Sequence, residues 1–425
     1  MDAATRRLSL VGVASRYRDA RNAPSTPGSR QSRLGLDWMN FFVADVQTGF
    51  GTFVAFYLAR LSWSQEMIGI ALGVGGIAGV LGQIPGGALA DATTWKRALI
   101  AIGILMIGAA AIILALVPTV TLVFIAEVLH GLTAGILTPC IGAISLGLVG
   151  RRAMSSRTGR NYRYAAAGHA LTAAAMGAAG TYLSERAIFL AAAILCIPAL
   201  VALSFIRADE IDYARARNAG VRNKTEQTTK IFDLVKNRRL LLFAASLVLF
   251  QLADASMLPL IGENLAQQGR SPAISMSGLI IVPQVIVAMI APWVSYHSEA
   301  KGRRPLLLIG FGLEPVRAVL LAFTTDYPVL LITQMLDGIS GAIITVLTVL
   351  VITDLTTGTG RFNLARGAVG AVSGIAASVS TVLTGFVDQR FGHMAGFLLL
   401  AAISIAATAL IGVFQQETKP QRYLD

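Results

Sequence analysis

Charge is scarce in this sequence. Asp, Glu, Lys and Arg make up 14% of its 425 residues, against about 25% in soluble domains. Cysteine is scarcer still: Cys140 and Cys196 both fall in apolar runs, which excludes a disulfide framework and zinc-ligand spacing. No Walker loop, metal-ligating cluster or nucleophile–base arrangement is present. An enzyme, an ATP-driven pump, and a bound metal or cofactor are therefore not expected. The first 33 residues hold seven arginines but no apolar core ending in a cleavage site. They read as a disordered basic tail and not a signal peptide, an Arg-rich organelle transit peptide being the other reading.

What fills the chain is apolar: 55% of it is hydrophobic and its mean hydropathy is +0.66. A helix needs about 20 apolar residues to cross a bilayer. Such runs lie at 34–59, 65–90, 98–117, 120–148, 164–184 and 187–206, and again at 240–262, 274–297, 305–324, 328–352, 364–387 and 393–414. The expected fold class is all-α, a polytopic membrane protein of twelve transmembrane helices. The tail (1–33) precedes a first six-helix half (34–206), a polar linker (207–239), a second half (240–414) and a short C-terminal tail (415–425). Thirty Lys and Arg fall on the side of both termini and four, Arg60, Arg186, Arg270 and Arg390, on the other. That asymmetry predicts cytoplasmic termini in a cell (inner) membrane. The net charge of +12 is then topology and attraction to lipid, with no nucleic-acid partner.

The halves repeat each other. "RTGRNYRYAAAGHA" from Arg157 parallels "GTGRFNLARGAVGA" from Gly358, and "EVLHG" from Glu127 parallels "QMLDG" from Gln334. "GALADATTWKR", Gly87 to Arg97, parallels "VSYHSEAKGRR", Val294 to Arg304, with Asp91 taken as the counterpart of Glu299. Parallel halves that bind a solute at their interface are a known transporter plan. On these residues the chain resembles the major facilitator superfamily of secondary transporters. The signature of the second–third connection reads Gly87, Asp91, Lys96 and Arg97; Ala92 and Thr94 depart from it where a base and a glycine are usual. The second-half copy reads Glu299, Gly302, Arg303 and Arg304.

The resemblance implies that these residues form a cytoplasmic gate, Asp91 latching onto a helix N-terminus or onto Arg151 or Arg152. It also implies that segments 1, 4, 7 and 10 line a central cavity, in a protein that works as a monomer. Those segments carry Asn40, Asp45 and Gln47; Glu127 and His130; Gln251 and Asp254; Gln334 and Asp337. Asp45 sits about 16 Å along its helix, at mid-membrane, where an acid facing lipid is costly and one facing a wet cavity is functional. Glu127 and His130 share a helix face, and His130 is expected to face Asp337 across the cavity, a pairing suited to protons. Glu314 and Arg317, also three apart, read as a local neutralising pair. Asp354 and Arg361 belong with the inner gate. The glycine-rich "LGVGGIAGVLGQIPGG" lies within a helix and reads as close helix packing, not as a dinucleotide loop. Glu127 stands where drug exporters of the family usually place a base, and "AAAMGAAG" in segment 5 lacks their proline. The expected function is alternating-access transport of a small organic solute coupled to protons, as efflux, with proton-coupled nutrient uptake as the alternative. A non-cycling receptor or lipid-handling protein is the remaining reading. So acidic a cavity favours a cationic or neutral solute.

Overall fold

The computed structural model describes residues 28–48, 54, 57, 58, 61–219, 236–267 and 272–420. Most of the basic tail, the later part of the linker and the side chains of Asp45 and Gln47 lie outside the described residues. The chain is helical: α1 (Arg30–Thr48), α2 (Gln65–Ala92), α3 (Lys96–Leu116), α4 (Val120–Val149), α5 (Met154–Tyr182) and α6 (Glu185–Ser204). The second set is α7 (Arg238–Asp254, continued by Met257–Gln267), α8 (Pro272–Lys301), α9 (Arg304–Phe323), α10 (Tyr327–Leu355), α11 (Phe362–Phe391) and α12 (His393–Phe414). Three starts follow from side-chain caps, Ser64 accepting from Met67 N, Ser184 from Ala187 N and Asn237 from Leu240 N. Ten spans among the described residues are long and apolar enough to cross a membrane. The described parts of α1 and α5 carry charged residues that find partners within the protein, Arg157 and Arg160 with Asp37.

One core cluster draws only on residues between Leu36 and Ile211; the other two draw almost wholly on α7–α12. Within the first group, α2 crosses α4 along Gly79, Gly82, Gly131 and Gly135, which lets the backbones touch. The glycine-rich run is thus a packing seam. Between the groups, α2 meets α11 and α5 meets α8.

That contact is confined to one end, the basic end, which carries the connections after α2, α4, α8 and α10. Gly87 backs directly onto Asn363 and Leu364, so a Cβ at Gly87 would come within 3.0 Å of Leu364 Cα. One turn on, Gln83 faces Gly367 and Gly370, and Val80 faces Gly374. There the seam stops. Further along α2, nothing lies within 4 Å of a Cβ built at Gly76, Gly73 or Gly69, and the same holds for Gly385 on α11. Among the described residues the two groups are joined at the basic end and parted at the other.

The linker and the segment beyond α12 reinforce the basic end. Residues just past α6 are packed in, with Asn218 (φ 62°) donating to Thr353 O at 2.7 Å and accepting from Arg151 Nε at 2.7 Å. Beyond α12, Glu417 accepts from the N-terminal amides of α9, Arg303 N at 2.8 Å and Arg304 N at 3.1 Å. Burial pushes the Glu417 carboxyl up, but the amides of Arg303, Lys419, Arg304 and Thr418 outweigh it and hold it below the ordinary glutamate value of 4.5. A carboxyl lowered on folding adds stability above its unfolded value and loses it as pH falls through the folded one. The melting-temperature gap between wild type and Glu417→Gln is therefore expected to be full at neutral pH and to close below pH 4.5. A gap unchanged on that descent would refute the cap.

Candidate functional site

The parted end opens into a cavity of about 420 Å³ between the groups. Asn40 of α1, Asn161, Tyr162 and His169 of α5, Gln284 of α8, and Asp254 and Asp337 border it. Of the nine residues expected in it, Asn40, Asp254 and Asp337 are on its wall. Glu127 is buried instead against Gly75 in the α2–α4 seam, with Oε1 lacking a hydrogen-bond partner among the described residues. Gln334 is fully buried in α10, and neither it, His130 nor Gln251 borders the cavity.

Asp337 does not turn to His130; its partner is Arg317. One guanidinium nitrogen, Arg317 Nη1, lies 2.6 Å from Asp254, 2.8 Å from Asp337 and 3.4 Å from Glu314. The local Glu314–Arg317 pair expected from sequence is therefore half of a four-group cluster drawn from α7, α9 and α10. Arg317 and Glu314 are 1% exposed, whereas Asp254 and Asp337 reach the cavity. Carboxylate oxygens of the three acids lie within 4.8 Å of one another, a donor set that suits a hard cation, although the guanidinium already occupies their midst.

The floor of the cavity rests on a second network. Asp37 of α1, fully buried, accepts from Arg157 and from Arg160 (2.8 Å) of α5. Arg157 Nε donates on to Asn161 Oδ1 at 2.7 Å, and Asn161 Nδ2 to Ser145 Oγ at 2.8 Å. In the sequence these arginines look like topology signals; their pairing with an acid more than a hundred residues away carries no local mark.

Beneath the floor, Asp91 binds the N-terminus of α11. Its Oδ1 accepts from Asn363 N (3.3 Å) and Nδ2 (2.8 Å), and its Oδ2 from Leu364 N (2.8 Å). The two backbone amides are ones that a helix leaves unpaired, and the helix dipole adds attraction for the anion. Of the alternatives, the helix end and not Arg151 or Arg152 is the partner. Lys96 closes the C-terminus of α2, donating to Ala90 O and Thr93 O at 2.6 Å each. Arg97 is half-buried, its Nε without a partner among the described residues.

The second copy differs from expectation. Glu299 pairs with Arg303 at 2.7 Å, and Arg303 also reaches Asp354 at 3.3 Å. Gly302 supplies the positive φ of 92° for the turn, and Arg304 bonds Gly412 O at 2.8 Å. The residue holding the place of Asp91 is Ser298, whose hydroxyl lies 3.2 Å from Ser155 Oγ at the start of α5. A shift of one residue turns a helical side chain by about 100°, so Ser298 and Glu299 point in different directions. Across this second seam Ser155 Oγ also donates to Ser295 O at 2.7 Å.

Comparison with known proteins follows the same lines. The family model described as Major Facilitator Superfamily matches residues 36–313 and 256–424. An uncharacterized MFS-type transporter of Mycobacterium tuberculosis is 35% identical over 387 residues, covering 90% of this chain and 93% of that protein. Among solved structures, the proton:xylose symporter XylE has a TM-score of 0.71 at 16% identity, over 92% of this chain and 96% of its own. The human organic anion transporter MFSD10 has a TM-score of 0.66 at 13% identity, over 90% and 100%.

Proposed function

Since the chain belongs to the major facilitator superfamily of transporters, we propose that it moves a small solute by alternating access and couples that movement to protons at the Arg317 cluster. The observation that carries this reading is the charge balance there: three carboxylates share one guanidinium. Two carboxylate charges within 4.8 Å of each other repel by roughly 3.5 kcal/mol or more even at an effective dielectric of about 20. One arginine offsets one charge. The remaining repulsion falls when a carboxyl takes a proton, and Asp254 and Asp337 meet the water of the cavity where protons arrive. Protonation weakens their hold on Arg317, and α7, α9 and α10 are the helices whose relative packing that hold sets.

In this cycle the present conformer faces outward, its basic, cytoplasmic end held by Asp91 on α11. Release of that latch opens the opposite face. A protein that binds without cycling has no use for so specific a bond across the seam, which supports transport over a receptor role.

The test uses purified protein in liposomes loaded with the pH dye pyranine and challenged with a metabolite library. A solute that drives proton movement in wild type is expected to drive it more than tenfold slower in Asp337→Asn. Exchange of that solute across the membrane at equal pH should persist. Unchanged proton flux in the variant would remove Asp337 from the coupling step. Reversing the gradient in the same vesicles distinguishes efflux from uptake.

A further inference from the structure

The acidic look of the sequence points to a cationic or neutral solute, but the cavity wall also carries an arginine, Arg366, apart from its acids. We propose, building on the transport reading above, that the solute carries a carboxylate, phosphate or sulfonate and that Arg366 binds it at the cavity floor.

Arg366 sits in the second turn of α11, half-buried, and is the one Lys or Arg among the described residues bordering the cavity. The other cations near the seam are committed: Arg317 to three acids, Arg157 and Arg160 to Asp37, Arg303 to Glu299 and Asp354, Lys96 to carbonyl oxygens. Arg366 makes no hydrogen bond or ion pair with a described residue. A guanidinium offers five donors and matches planar or tetrahedral oxyanions two bonds at a time. Leaving one unmatched inside a bundle is costly unless something else fills it.

Its position is built. The side chain crosses from α11 to α4, where Gly142 has no side chain; a Cβ there would collide with Arg366 Nη1. Below it, Asn363 and Leu364 are tied to Asp91, which shuts the floor from the basic end. The acids are far off. Asp337 lies 18 residues from the basic end of α10 and Arg366 four residues into α11, a difference of about 20 Å along the axis. The cavity therefore has two poles, an arginine at the floor and the carboxylates nearer the open end. Thr158, Asn161 and Tyr162 border it at floor depth and add neutral donors. A volume of about 420 Å³ is in the range of pockets for small organic molecules.

Thermal-shift titration of the purified protein at neutral pH tests this with matched probes. These are 4-biphenylcarboxylate against its amide, benzenesulfonate against its sulfonamide, and phenyl phosphate against phenol, with benzyltrimethylammonium as the cation. The acids are expected to raise the melting temperature and their neutral partners not to. The apparent Kd should rise at least tenfold in Arg366→Gln and less in Arg366→Lys. Gly142→Val, which keeps every charge but fills the slot, should weaken binding as well. The proposal falls if no acid shifts wild type, if amides or the cation shift it equally, or if Arg366→Gln keeps the acid response. Should that happen while a neutral or cationic solute still drives proton flux through wild type, the transport reading stands alone. Acid binding with no solute moved by wild type would leave the anion site and defeat transport.

Discussion

Arg317→Gln is expected to lower the melting temperature by roughly 6–10 °C, a larger loss than any single substitution in the cavity wall should cause. Arg317 is 1% exposed, and its Nη1 serves Asp254, Asp337 and Glu314 at once. Removing one partner of a buried ion pair costs about 3–5 kcal/mol, because the surviving charge stays buried without compensation. In a large domain each kcal/mol is worth about 2 °C. Three survivors instead of one place this variant at the upper end. The double variant Arg317→Gln/Glu314→Gln should recover part of the loss, since Glu314 is the acid with no water to turn to; coupled residues are non-additive in this way. Circular-dichroism or dye-based melting of the two proteins decides the matter. A single variant that melts with wild type, or a double variant no better than the single, would mean that the cluster carries no net stabilisation.

Asp91→Asn should open the basic end. Asp91 holds three N–H donors with a full negative charge. An asparagine keeps one acceptor, loses the charge, and turns its own NH2 toward donors. Hydrogen bonds to a charged group contribute about 1.5–3 kcal/mol, so a loss of roughly 2–3 kcal/mol moves the balance between basic-end-closed and basic-end-open states about thirty- to a hundred-and-fiftyfold. A cysteine placed at Thr345, which borders the cavity, reports the change. In wild type it should react slowly with a maleimide added from the basic side, and in Asp91→Asn much faster. Gly87→Val, which pushes α2 off Asn363, should do the same without touching charge. Solute affinity should stay nearly constant, as Asp91 does not border the cavity. Equal labelling rates in all three proteins would sink the latch.

These two sites were legible to different degrees. Asp91 could be singled out by its motif, and a helix N-terminus named among its partners, because the spacing from Gly87 to Lys96 and Arg97 is local. That Asn363, 272 residues away, is the partner could not be read. The second copy misled: an acid one residue from the right register looked like a repeat of the latch, although the offset of 207 that matches the two strings puts Ser298 opposite Asp91, as the geometry does. In the cavity, Asp254 and Asp337 were legible as acids inside apolar runs. Glu127 and His130 were legible in the same way, yet they stand off the wall.

Arg366 went the other way, since near the end of a segment it looks like one more positive charge on the basic side. By itself the sequence determined that the chain is a bundle of membrane-spanning helices, which end is basic, and roughly where each helix starts and stops. Those properties follow from each segment's own transfer into the bilayer and from caps a few residues long. Only the tertiary structure decided which acids share Arg317, that Asp91 meets the start of α11, and that Arg366 faces inward. Each of these depends on how a helix is rotated about its axis and how deep it sits beside its neighbours. At about 100° per residue, packing against distant segments sets that rotation, and no stretch of sequence encodes it alone.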